Sequence, residues 1–363
     1  MPDINKSDRI EYIDGIRGLA SLSVVTFHFF WESLGGYIPE LRSHYTALFL
    51  NGIVAVMIFF ILSGDSLSIS FFKNRDIKKL PPILLKRYFR LGFVILLTTL
   101  IVYLAMKLGF TYNKQAGAIL NSNEWLGSFL NFTPSINTAF SFSLSNVYIR
   151  QGDNYNPFFW TMSVELIGSY FLLLYLFCYN HIKKPNFICF AIYIFLAVIG
   201  SYISLFFAGI LLCIHRQNGF LKKIEQRIGV LLNTLILVIL FIISSMVFIK
   251  YYVQGHKELG DLYFIICPTM LLLVYTNKKL RNLLSMRPFN FLGKISYPLY
   301  AIHFVVLTTI FSSVISTYPL SKLQMMIFAV FCIALSILLA ILVEMLEFIY
   351  LRRLSVLVMQ LIK

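Results

Sequence analysis

The sequence predicts an all-α membrane protein: a polytopic bundle of about ten transmembrane helices with both termini in the cytoplasm. Three observations carry this. Apolar runs of membrane-spanning length recur along the whole 363-residue chain. Hydrophobic residues make up 58% of it and charged residues only 13%. The basic residues concentrate in alternate connecting segments. The net charge of +15 therefore reads as the positive-inside pattern of a membrane protein and not as a nucleic-acid-binding surface.

The expected spans are 11–31, 47–70, 84–106, 158–179, 186–200, 202–215, 228–249, 261–276, 291–311 and 323–349. The first apolar segment has no small-residue cleavage site, so it reads as a retained helix. With the N-terminus inside, the cytoplasmic side holds Lys6, Arg9 and Arg17. It also holds the segments Lys73–Arg90, Arg216–Arg227 and Lys278–Arg287, and the tail with Arg352, Arg353 and Lys363. The run 186–215 is far longer than one span needs, and Gly200-Ser201 lies at its middle. It is split into two short helices, and the charge pattern keeps its sides only with that split. The chain reads as one transmembrane domain, residues 1–363, with no soluble domain at either end.

The segment Leu108–Asn156 is expected outside. It is rich in Asn, Ser and aromatics, among them Trp125, Phe129 and Tyr155. Such residues suit a sugar, by stacking and hydrogen bonding, or equally a membrane interface. The five cysteines lie in apolar segments without ligand spacing, so they read as packing residues and no metal site is expected.

Ionisable groups inside spans are costly and mark working sites. The first span carries Asp14, Arg17 and His28. Arg17 and His28, eleven residues apart, share one helix face about 16 Å apart along the axis. His28 is a candidate general base, since a neutral imidazole accepts a proton near pH 7. Glu165, two turns into its span, is expected at comparable depth and is the candidate to orient it. The plainer reading of each is a structural partner on a neighbouring helix. Asp14 and Arg17 could simply pair, or Arg17 could reach a phosphate. Arg87 and Arg90 repeat the three-residue spacing and read either as membrane anchors or as a pyrophosphate clamp. Ser63 and Gly64 suit a close helix seam, while Asp65 adds a further carboxylate at membrane depth. His303, with Tyr297 and Tyr300, forms a second polar cluster, ranked below His28 because no charged partner is evident.

Five segments, in order, resemble the acyltransferase 3 family of membrane acyltransferases. They are YIDGIRGLA (12–20) continuing to His28, FFILSG (59–64), KRYFRL (86–91), WTMSVE (160–165) and LGKISYPLY (292–300) near His303. Asp65, where an apolar residue is expected, and Thr161, in place of Ser, depart from the pattern. The resemblance implies transfer of an acyl group, usually acetyl from acetyl-CoA, to a hydroxyl of a bacterial surface carbohydrate such as O-antigen, capsule or exopolysaccharide. It places the protein in the bacterial inner membrane, with a carbohydrate or lipid-linked glycan as partner. Arg17, Ser63, Arg87 and Arg90 would then hold coenzyme A, and His28 with Glu165 would be catalytic. The rival class is a transporter or flippase of a lipid-linked sugar. Such a protein needs neither the Arg17/His28 stripe nor a basic pair for a nucleotide.

Overall fold

The computed structural model describes residues 10–75, 77 and 80–361. Lys6, Arg9, Lys78, Lys79 and Lys363, counted above in the charge pattern, lie outside the described residues. The described chain is 83% helix and holds no strand. The principal helices are α1 Glu11–Thr26, α2 Gly52–Asn74, α3 Leu80–Lys107, α4 Trp160–Cys178 and α5 Pro185–Val198. They continue with α6 Ser204–Gln217, α7 Val230–Phe248, α8 Tyr263–Tyr275, α9 Arg287–Val306 and α10 Lys322–Leu361.

Seven helical segments among the described residues are long and apolar enough to cross a membrane. That is fewer than the ten expected, and the shortfall has physical causes. The first segment runs without a break from Glu11 through a π-helical stretch, Phe27–Ser33, but Asp14, Arg17, His28 and Glu32 interrupt its apolarity. α5 and α6 have 14 residues each, about 21 Å, against a hydrocarbon thickness of about 30 Å. The chain does break between them, at Gly200, whose φ of +68° suits a residue without a side chain. The exterior is apolar, with Leu231, Phe187 and Leu323 among its most exposed large side chains. The protein is a multi-pass membrane protein.

Two glycine seams set the geometry of the bundle. In the first, α1 packs on α9. A Cβ on Gly18 would lie 2.5 Å from the Gly293 nitrogen, and one on Gly293 would lie 2.2 Å from the Asp14 carbonyl oxygen. Farther along, Ser21 Oγ donates to the Ser296 carbonyl at 2.8 Å. Gly18 to Gly293 and Ser21 to Ser296 share one sequence offset, so the helices run parallel. The break at Gly200 agrees with this, because fusing α5 and α6 in an alternating bundle would make α1 and α9 antiparallel.

In the second seam α2 crosses α6. A Cβ on Gly64 would lie 2.2 Å from the Phe206 carbonyl oxygen, and one on Gly209 the same distance from that of Ile61. This close approach lets Arg216, at the end of α6, clamp Asp65 with both Nη groups at 2.5 Å. Tyr275 adds its hydroxyl at 2.7 Å. Asp65 is fully buried. Losing one partner of such a pair costs about 3–5 kcal/mol, so the residue that departs from the family pattern fastens α2, α6 and α8. Ser63, two residues away and so about 200° around the helix, faces elsewhere.

The segment Leu108–Asn156 is more than a loop. Its backbone is tied to α9's continuation by Tyr112 N–H to the Thr308 carbonyl, 3.0 Å. Its helical stretch from Ile136 to Ile149 packs beside α3, where Tyr88 Oη donates to the Leu144 carbonyl at 2.8 Å. Between these anchors Trp125 and Phe129 fold over the end of α1.

Candidate active site: two adjoining cavities

The sequence candidates divide between two cavities, each of about 320 Å³. The first collects Arg17, Ser63, Arg87, Arg90 and Glu165, from α1, α2, α3 and α4, with Tyr297 of α9. The second holds His28, with Trp125 and Phe158 in its walls. Val56 and Tyr300 line both cavities, so the two meet at these side chains.

In the first cavity every arginine stands against a carboxylate. Arg17 pairs with Asp14 at 3.3 Å and also reaches Ser66 Oγ at 3.0 Å. Arg17 thus pairs locally and also lines the cavity. Arg87 pairs with Glu165 and gives an Nη2 hydrogen bond to Ser63 Oγ at 3.3 Å. Ser63 Oγ in turn donates to Glu165 Oε1 at 2.5 Å. Arg90 Nε donates to Glu347 of α10 at 2.8 Å. Glu347, at the buried side of the last long helix, was not among the sequence candidates; its position as a carboxylate within an apolar run is the signal that could have found it. A guanidinium has five N–H donors, so each pairing leaves capacity for another anion. Among the described residues, the buried Arg87 Nε has no hydrogen-bond partner. An orphaned buried donor of this kind is costly and fits a cavity whose occupant brings anionic oxygens.

His28, in the wall of the second cavity, is one half of a histidine pair. His28 Nδ1 lies 2.8 Å from His303 Nε2, with the same α1–α9 offset as Ser21 and Ser296. The rings are nearly parallel, 13° apart. His303 is therefore not a separate cluster: it is the partner of His28. The protons follow from the acceptors. His303 Nδ1 faces the Leu299 carbonyl at 3.2 Å. A carbonyl only accepts, so His303 carries its proton on Nδ1 and its Nε2 is a lone pair. His28 then donates from Nδ1, which leaves the His28 Nε2 lone pair as the basic site. The Leu299 carbonyl, through His303, thus fixes the tautomer of His28.

The expectation that Glu165 orients His28 is corrected. Asn156 caps the short turn Pro157–Phe159 by accepting from Phe158 N–H at 3.0 Å. That turn sets the Phe158 ring directly on His28, centroids 3.9 Å apart. Glu165, seven residues farther along, is about 10 Å deeper and meets Arg87 and Ser63 instead. Thr161, which replaces the expected Ser, keeps a working hydroxyl, 2.9 Å from Tyr300 Oη. Tyr300 also donates to the Phe158 carbonyl. Phe158 and the Tyr300 partition are thereby held together.

Fold and site define a multi-pass membrane protein with a polar, arginine-lined chamber joined to a chamber that holds a histidine. The chain belongs to the acyltransferase 3 family: the family model, described as an acyltransferase domain, matches residues 10–345. No curated protein and no solved structure matches the chain significantly. The protein is a membrane acyltransferase. Among the described residues no group of three His, Cys, Asp or Glu side chains is placed to hold a metal ion.

Proposed function

We propose that this acyltransferase moves an acetyl group from cytoplasmic acetyl-CoA to a hydroxyl of a bacterial surface carbohydrate, O-antigen, capsule or exopolysaccharide, at the inner membrane. The observation that carries this reading is the meeting of the two cavities at Val56 and Tyr300. Arg17, Arg87 and Arg90 offer guanidinium donors to the phosphates of coenzyme A, and Ser63 lies among them. The pantetheine arm extends past Val56 and Tyr300 and brings the thioester toward His28, along the roughly 16 Å that separate Arg17 from His28 on α1.

His28 Nε2 takes the proton of the acceptor hydroxyl as its oxygen attacks the thioester carbonyl carbon. The C–S bond then breaks, and the coenzyme A thiolate takes the proton from the imidazolium. While charged, His28 shares its Nδ1 proton with His303, whose own Nδ1–H rests on the Leu299 carbonyl. Holding both reactants in adjoining cavities supplies much of the rate, because a bimolecular encounter becomes an intramolecular one. A flippase would need no histidine pair beside an arginine chamber.

Binding of the donor is testable apart from transfer. Acetyl-CoA should raise the thermal midpoint of the purified protein, since a ligand at a hundred times its Kd stabilises the native state by about 2.7 kcal/mol. His28→Ala should keep this protection, and Arg87→Gln should lose most of it. Absence of protection at saturating acetyl-CoA would contradict the assignment of the arginine chamber.

A further inference from the structure

Tyr252 lines the His28 cavity, and a carboxylate that the reaction above does not use fixes its hydroxyl. Glu32 lies four residues beyond His28 in the same π-helical stretch and is only 4% exposed. Its Oε1 accepts the Tyr252 hydroxyl proton at 2.5 Å. The backbone around it is clamped: Arg42 Nε donates to the Trp31 carbonyl at 3.0 Å, and Ser122 Oγ to the Glu32 carbonyl at 3.1 Å. Tyr252 stacks on Phe248, centroids 5.1 Å and planes 11° apart, so its ring is fixed as well. Tyr252 lines the cavity with His28. Both rings pack on Phe27, at centroid distances of 6.0 and 5.6 Å.

A phenol whose proton is committed to a buried carboxylate presents only lone pairs to the cavity. His28 Nε2 presents a lone pair too. Tyr252 Oη and His28 Nε2 are therefore both acceptors, beside an aromatic wall made by Trp125 and Phe158, 24° from parallel. We infer that Tyr252 is the acceptor-orienting residue and Glu32 its positioning residue. Together with His28 they select a ligand that brings at least two hydroxyls and an apolar face, as a pyranose ring does. One hydroxyl is held on Tyr252 while its neighbour loses its proton to His28. The inference rests on the proposed function and adds to it the requirement for a second hydroxyl.

The test follows labelled acetyl-CoA into glycan extracted from the surface of the producing cells, using the full-length protein in membrane vesicles. Tyr252→Phe keeps the ring stack and removes the oxygen. It should raise the KM for glycan about tenfold, the effect of one lost hydrogen bond, and leave the KM for acetyl-CoA unchanged. Glu32→Leu should behave alike, because the phenol proton is then free to turn into the cavity. Glu32→Gln should recover most of the affinity, since its amide oxygen still accepts from Tyr252. Glycan KM values within twofold of wild type for Tyr252→Phe and Glu32→Leu would overturn the inference, as would a parallel rise in both KM values. Absence of transfer by the wild-type protein would instead bring down the proposed function, and this inference with it.

Discussion

His303→Leu should lower kcat by about 100-fold or more while the KM for acetyl-CoA stays as it was. A positioned general base contributes about 10²–10⁴ to rate, and here its position and tautomer depend on His303. Leucine fills the space beside Phe158, whose ring centroid lies 5.0 Å from that of His303, but accepts no proton. His28 Nδ1–H then loses its acceptor, and the ring is free to present either nitrogen to the cavity. His303→Gln should fall between wild type and leucine, because its amide oxygen can replace Nε2 as acceptor. Steady-state rates at saturating acetyl-CoA check this, and equal rates for leucine and glutamine variants would argue that His303 only fills space.

Gly293, which lines the arginine cavity as well as the α1–α9 seam, should be the most damaging glycine to replace by valine. Its Cβ would lie 2.2 Å from the Asp14 carbonyl oxygen and 3.0 Å from the Asp14 Cβ. Backbone is the obstacle, so α1 and α9 must separate. Overpacking a tight contact costs about 1–3 kcal/mol or more. Separation also breaks the register that joins His28 to His303. Both the thermal midpoint and the transfer rate per folded molecule should fall. Gly92→Ala is the matched control: its Cβ would meet only the Tyr148 hydroxyl, at 3.7 Å, and alanine suits a helix interior better than glycine. Gly293→Val with a wild-type midpoint would contradict the seam.

Much of this was legible in the chain. The helical class follows from the apolar runs, and the break at Gly200 from the excess length of residues 186–215. Arg17, His28, Arg87, Arg90 and Glu165 stood out because ionisable groups in membrane helices are rarely idle. Their partnerships were not legible. His28 meets His303 because α1 and α9 run parallel in one register, and register is set by the Gly18–Gly293 approach and not by anything local to either histidine. Glu165 looked level with His28 when counted from the ends of the spans. The short turn before α4 brings Phe158, not Glu165, to that level. Tyr252 carries no mark in the sequence among the 21 tyrosines. Glu32 did carry one, as a carboxylate at the end of an apolar helix. The role of Asp65 was not legible because its partner, Arg216, lies 151 residues away.

The central claim is that His28, as general base, activates a hydroxylated acceptor to take an acyl group from a donor held in the arginine chamber. Labelled acetyl-CoA, membrane vesicles and surface glycan test it directly, with wild type and His28→Ala compared at matched expression. The account predicts label in glycan with wild type and a loss of at least about 100-fold with His28→Ala, acetyl-CoA still protecting the variant against heat. Equal transfer by His28→Ala would contradict it.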